Sequence, residues 1–178
     1  MKTKLLYVAL TLTAICCLSS CSQKVYRLRG NYDVVTSIET NSSFEDVWNR
    51  VIDFFAENNI PIATLEKASG IVVANSVNIP ESRISIEDEQ GRILDRNAWF
   101  VFPYEKKFVR GKVQCSFNIR VRKQENGKSY ISVNLGGISG YKSISVFNPV
   151  NLTTNIIEQA APCYSTGKFE EDLLNLFK

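Results

Sequence analysis

The clearest order in this chain is an alternation. Val113, Cys115, Phe117, Ile119 and Val121 are separated by Gln114, Ser116, Asn118 and Arg120, so a strand here buries one face and wets the other. Ile131, Val133 and Leu135 alternate in the same way on a partner strand. The Asn126-Gly127 pair between them suggests a two-residue type I′ turn. That register sets Val121 opposite Ser132 and puts the two apolar sets on opposite faces, so it fails. A three-residue loop of Glu125, Asn126 and Gly127 pairs Val121 with Ile131 and Ile119 with Val133. It also places Gly127 at the left-handed position such a loop requires.

Helical spacing marks a second group of elements. Ser42 with Glu45 three residues on reads as a capping box, and Phe44, Val47, Trp48, Val51 and Phe55 then form one apolar stripe. Asn58-Asn59 ends that helix before Pro61. Residues 60–66 and 71–77 are β-rich runs joined by Lys67-Ala68-Ser69-Gly70, a second hairpin. Residues 32–39 and 98–104 suit strands, as do 141–147, whereas 80–96 has no period and reads as a long loop. Leu152, Ile156, Ile157 and Ala160 have helical spacing, stopped by Pro162. A closing helix carries Phe169, Leu173, Leu174 and Phe177 on one face, with Ser165 or Thr166 as its cap. The expected fold is α+β: an antiparallel sheet of two hairpins plus one or two further strands, with helices packed on one face. The stretch SFEDVWNRVIDFFAENNIPIATLEKASGIVVAN, a helix followed by a hairpin, resembles in pattern the small helix-on-sheet domains of envelope lipoproteins such as the BamC accessory subunit of the outer-membrane assembly machine. That resemblance implies a fold and no binding residue.

The first residues follow a different logic. Lys2 and Lys4 precede an almost uncharged apolar run from Leu5 to Leu18, shorter than the roughly 20 residues a membrane-crossing helix needs. The run ends in Leu18-Ser19-Ser20-Cys21, which resembles the bacterial lipobox. The resemblance implies that the chain is cut before Cys21 and that Cys21 carries lipid, and two or more acyl chains hold a protein stably on a membrane. Residues 1–20 are then a signal peptide, 21–31 the lipidated cysteine with a polar, basic tether, and 32–178 a single α+β domain. Ser22 is not the aspartate that retains such proteins at the inner membrane in enterobacterial-type sorting, and the tether has no acidic run of the kind associated with surface export. Attachment to the outer membrane, facing the periplasm, is the expectation.

Processing changes what the composition says. The 178 residues less 20 leave 158, enough for one domain with a real core. Removing Lys2 and Lys4 from the 21 basic residues leaves 19 against 18 acidic ones, so no overall field points to nucleic acid or acidic lipid. Of five cysteines, Cys16 and Cys17 leave with the signal and Cys21 is lipidated. Cys115 and Cys163 remain as a candidate disulfide in an oxidising compartment, worth roughly 4 kcal/mol in the chain-entropy account. The alternative is two separate buried thiols.

The chain has no histidine, which removes Ser-His-Asp and Cys-His catalysis, imidazole bases and nearly all catalytic zinc sites. Ser139-Gly140-Tyr141-Lys142 fits a Ser-x-x-Lys pattern, but its glycine-rich context reads as a turn, and the companion motifs are missing. Ser165-Thr166-Gly167-Lys168 fails as a phosphate loop at Pro162 and Phe169. Glu87-Asp88-Glu89 with Asp95 does not match a calcium loop and reads as a solvated acidic turn. One segment merits a binding test. Trp99, Phe102 and Tyr104 lie beside Lys106, Lys107 and Arg110, an aromatic-plus-basic pattern suited to an anionic glycan or lipid headgroup. The competing reading is a strand that buries alternate aromatics and ends in a soluble basic turn. Together these features lead to a non-catalytic accessory or scaffold lipoprotein with no cofactor or metal. Its expected partners are the membrane and other envelope proteins, with a glycan- or lipid-binding module as the alternative.

Overall fold

The computed structural model describes residues 32–178; Cys21, the signal segment and the tether lie outside them. The elements run β1 (Ser37–Thr40), α1 (Phe44–Glu57), β2 (Ile62–Glu66), β3 (Ile71–Ile79), a single 3-10 turn (Glu81–Arg83), β4 (Ile84–Ile86), β5 (Phe100–Phe102), β6 (Phe108–Lys123), β7 (Ser129–Asn148), β8 (Thr153–Ala161), β9 (Tyr164–Ser165) and α2 (Lys168–Asn175). The larger sheet is antiparallel with order β1-β7-β6-β3-β2, and β8 joins it on β7. A smaller sheet orders β4-β5-β9, with β4 and β5 parallel.

This overturns the α+β expectation of helices packed on one face of a two-hairpin sheet. The described residues are mostly β: 50% are strand and 17% helix, the latter confined to two short helices and the 3-10 turn. Two segments account for the difference. The stretch around Leu152, Ile156, Ile157 and Ala160 is not a helix but β8, which makes nine pairs with β7 along one edge. Residues 80–96 are not a loop throughout, since they contain β4, which finds its partner in β5 sixteen residues on.

The central hairpin has the three-residue register. Val121 pairs with Ile131 and Ile119 with Val133, while Gly127 takes a φ of 81°. Gly127 donates to the carbonyl of Gln124, and Gln124 donates to that of Lys128, closing the loop. The first helix starts one residue later than its capping box suggests. Ser43, not Ser42, accepts from the Asp46 N–H, at 3.2 Å. The Ser42 carbonyl instead receives the hydroxyl of buried Ser129 at 2.9 Å, which ties it to the sheet. The Tyr32–Glu39 strand also shrinks, to β1 alone.

A crease divides the large sheet. β6 runs straight through Gln114, Cys115 and Ser116, while both its neighbours carry an extra residue at that level. The bulge in β3 falls between Ala74 and Val77 and that in β7 between Gly136 and Ser139. Paired bulges bend strands and sharpen their twist. Below the crease, Val72, Phe117, Ile119, Val121, Ile131 and Val133 share one apolar cluster with Val47, Val51 and Phe55 of α1 and with Phe169, Leu173, Leu174 and Phe177. Above it, Ile79, Val113 and Cys115 meet Phe100 and Phe102 of the small sheet in a second cluster.

Candidate functional site

α2 is flanked by two open grooves. The larger, of about 820 Å³, lies between α1 and α2 and is floored by Trp99, Phe54, Phe169 and Leu173. Charges of both signs rim it, among them Arg50, Asp53, Glu57, Arg83, Lys168 and Asp172. The smaller, of about 420 Å³, runs along the other flank of α2 past Val35, Ile38, Arg96 and Glu171.

Trp99 is positioned by contacts distant in sequence. Its N–H donates to the Arg83 carbonyl at 2.7 Å, and its own carbonyl accepts from the Thr166 N–H at 2.9 Å. The Thr166 hydroxyl donates to the Ala98 carbonyl at 2.7 Å, so the strand entering β5 is clamped on both edges. The indole stands edge-on to Phe169, with ring centres 5.2 Å apart. Its Nε1–H donates to Asp172 Oδ2 at 2.8 Å, and the Arg83 guanidinium lies 4.8 Å from the ring centre. A cation over a tryptophan face is attracted by the ring quadrupole.

Asp172 also takes Lys168 Nζ at 3.0 Å. Partial burial pushes the Asp172 carboxyl upward, but the hydrogen bonds from Trp99 and Lys168 outweigh it and hold the group below the ordinary carboxylate value. Lys168 is raised in turn, first by its hydrogen bond to Asp172 and then by Glu171. The result is a fixed aromatic anchor with a mixed-charge rim, the pattern of residues that dominate protein interfaces.

The segment 99–112 does not form one surface. Trp99 lines the α1–α2 groove, whereas Phe102 is fully buried in the second cluster, because β5 is covered on both sides. Phe102 therefore leaves the candidate binding set. The Tyr104 hydroxyl donates to Glu89 at 2.9 Å, which raises its pKa. Lys106, Lys107 and Arg110 are exposed where β6 begins, beside the hairpin of β7 and β8.

Cys115 and Cys163 are free thiols, not a disulfide, and they share the second cluster. Burial pushes Cys115 up to about 12, with the Glu170 charge and Cys163 adding to it, and pushes Cys163 up to about 11. A thiol so far from ionisation is a poor nucleophile.

The remaining motifs separate on inspection. Ser139 and Lys142 lie inside β7 rather than in a turn. Three residues apart on a strand they face opposite ways, and Lys142 is paired with Glu105 at 3.0 Å. Neither Ser165 nor Thr166 is the cap of α2. Gly167 holds that position, with Thr166 accepting from the Lys168 N–H at 3.2 Å. The acidic run is parcelled out: Tyr32 donates to Glu87, Arg92 to Asp88 and Tyr104 to Glu89. Among the described residues no three His, Cys, Asp or Glu side chains converge as a metal site would require.

Sequence reasoning missed Arg83, Lys168 and Asp172 as parts of the Trp99 site. The rows were visible: Arg50, Asp53, Phe54 and Glu57 recur at helical spacing, as do Lys168, Asp172 and Leu176. That the two rows face each other across Trp99 depends on packing. No family model matches the chain, and no curated protein matches it either.

Proposed function

We propose that this chain is a lipid-anchored envelope protein that acts by holding a partner protein rather than by catalysis, with the α1–α2 groove as the holding site. The observation that carries the reading is Trp99. Its backbone is clamped from both sides and its indole is oriented by Asp172, while it still lines an open groove. A preorganised aromatic costs little conformational entropy when a partner closes over it. The lipobox-like Leu18-Ser19-Ser20-Cys21 supports the anchor, and Ser22 after it is in keeping with attachment at the outer membrane, facing the periplasm. The lack of histidine throughout the chain argues against the commoner hydrolytic mechanisms. This reading involves no cofactor.

The test is site-specific photocrosslinking in intact cells. The reporter sits at Leu176, half-exposed on the groove rim. A discrete adduct with an envelope protein is expected, lost at least tenfold with Trp99→Ala and with Cys21→Ala. An adduct indifferent to Trp99→Ala, or none at all, refutes the groove as the holding site. The alternative, in which segment 99–112 is one glycan- or lipid-binding surface, is weakened by the burial of Phe102.

A further inference from the structure

β7 outruns its neighbour. Its pairing with β6 ends at Phe108 and Ile144, but its pairing with β8 continues through Asn148 and Thr153. The four further pairs extend the hairpin about 14 Å past the sheet, plus a turn, at roughly 3.4 Å per residue. We call this projection the arm.

Its composition differs from the rest of the chain. From Ser143 to Ile157 there is no Asp, Glu, Lys or Arg. Phe147, Val150, Leu152 and Ile156 are 57%, 92%, 79% and 64% exposed. The tip is built to keep them out. Asn148 accepts from the Val150 N–H at 3.0 Å and Asn151 from the Thr153 hydroxyl at 2.6 Å, while Leu152 sits at a φ of 55°. A leucine in the left-handed region is unfavourable. Leu152 holds that conformation with its side chain largely in solvent.

Cations ring the base of the arm. Ser145 donates its N–H to the carbonyl of Lys107 at 2.9 Å, which sets the exposed Lys106-Lys107 turn against the arm. Arg110 is opposite Ser143 and Lys112 opposite Tyr141. Two carboxylates, Glu158 on Lys112 and Glu105 on Lys142, offset part of this charge and leave Lys106, Lys107 and Arg110 in excess. An uncharged apolar tip above a basic collar matches a bilayer with an anionic surface: the tip enters the acyl boundary and the cations meet phosphate.

The N-terminal end agrees. β1 runs antiparallel to β7, so the chain preceding Ser37 heads toward the half of β7 that bears the arm, and Tyr32 bonds Glu87 beside the small sheet. The eleven residues from Cys21 to Tyr32 span at most about 40 Å. A tether of that reach leaves the lipid of Cys21 free to enter the membrane that the arm meets.

We propose that the β7–β8 arm is a second membrane contact, its tip inserted in an anionic bilayer surface and Lys106, Lys107 and Arg110 at the headgroups. The inference deepens the lipid-anchored reading and rests on it. Insertion stops near the tip, because among the described residues β8 pairs only with β7, and its outer backbone edge cannot be satisfied in hydrocarbon.

The test uses the full chain as the cell processes it, with Phe147→Trp as reporter, reconstituted in vesicles of phosphatidylethanolamine and phosphatidylglycerol. After subtraction of the parent chain, the added emission shifts to the blue. Brominated acyl chains quench it by at least half. Adding Val150→Asp and Leu152→Asp restores unquenched, water-like emission, and Lys106→Glu with Lys107→Glu weakens the quenching several-fold. These exposed changes leave the urea midpoint unmoved, which excludes unfolding as the cause. Unquenched emission in the reporter chain overturns the proposal, as does quenching that survives the two aspartates. A blue shift that appears without vesicles and grows with protein concentration overturns it in favour of a second copy on the arm. The mass of the processed chain reports separately on Cys21. If it carries no lipid, the anchor reading fails, and the same vesicles mixed with the unlipidated chain still read the arm.

Discussion

Replacing Gly70 by alanine tests how closely β3 and β6 meet. Gly70 has a φ of 66°, and its carbonyl accepts from the Val121 N–H at 2.8 Å. A Cβ added there would lie 1.9 Å from the Val121 carbonyl oxygen, inside the 3.0 Å that real contacts respect. Val121 is buried in β6 and held on its other side by Ile131, so its carbonyl cannot retreat freely. The left-handed backbone costs alanine about 1–2 kcal/mol. Displacing a packed strand adds about 1–3 kcal/mol, and losing the Val121 bond about 0.5–1.5 kcal/mol. Reduced freedom of the unfolded chain returns about 0.4–1 kcal/mol. The net loss is about 4 kcal/mol. Gly127 supplies the control: its φ is 81°, and nothing lies within 4 Å of an added Cβ. Gly127→Ala then costs only the backbone term, about 1 kcal/mol after the same offset. Urea unfolding of the domain from Ser22 onward, followed by tryptophan fluorescence, measures both. At a slope of about 2 kcal/mol per molar, the midpoints should differ by about 1.5 M. Equal midpoints would refute the close-approach argument and leave positive φ as the whole effect.

The two thiols and the two buried or half-buried carboxylates give further tests. Cys115 and Cys163, raised to about 12 and about 11, should resist maleimide at pH 8 in the folded domain and react at once in denaturant, where rapid native labelling would contradict their burial. Asp172 is depressed in the folded state. The stability it adds over Asp172→Asn should therefore be full above its ordinary 3.8 and fade as pH falls through the lower folded value, and a difference that persists at pH 2 would exclude a charge-based role. Glu170 has the opposite sign, because burial raises it despite the Ser165 hydroxyl. Relative to Glu170→Gln, the parent should be most stable below 4.5 and lose ground as pH rises through the folded value, as paired thermal melts across pH would show.

The legible parts of the site were those carried by one element. The stripe of α1 and the buried face of α2 appear as helical periods, and Trp99 stands out as a tryptophan beside a β-rich run. Its partners Arg83 and Asp172 lie 16 and 73 residues away, and nothing local links them to it. Phe102 looked like a ligand-facing neighbour of Tyr104 because alternation assigns faces only where one side of a strand is wet. β5 is buried throughout, so the alternation has no outside.

By itself, the sequence determined the stripe of α1 and the register of the β6–β7 hairpin, because a period of two together with a turn glycine leaves one pairing that keeps both apolar sets on one face. Only the tertiary structure decided that residues 153–161 form a strand. Their helical spacing buries nothing, and β7 offered nine backbone partners that periodicity does not record. The small sheet, the crease at Cys115 and the Trp99 groove were settled the same way, by contacts between segments far apart in the chain, whose geometry no single segment encodes.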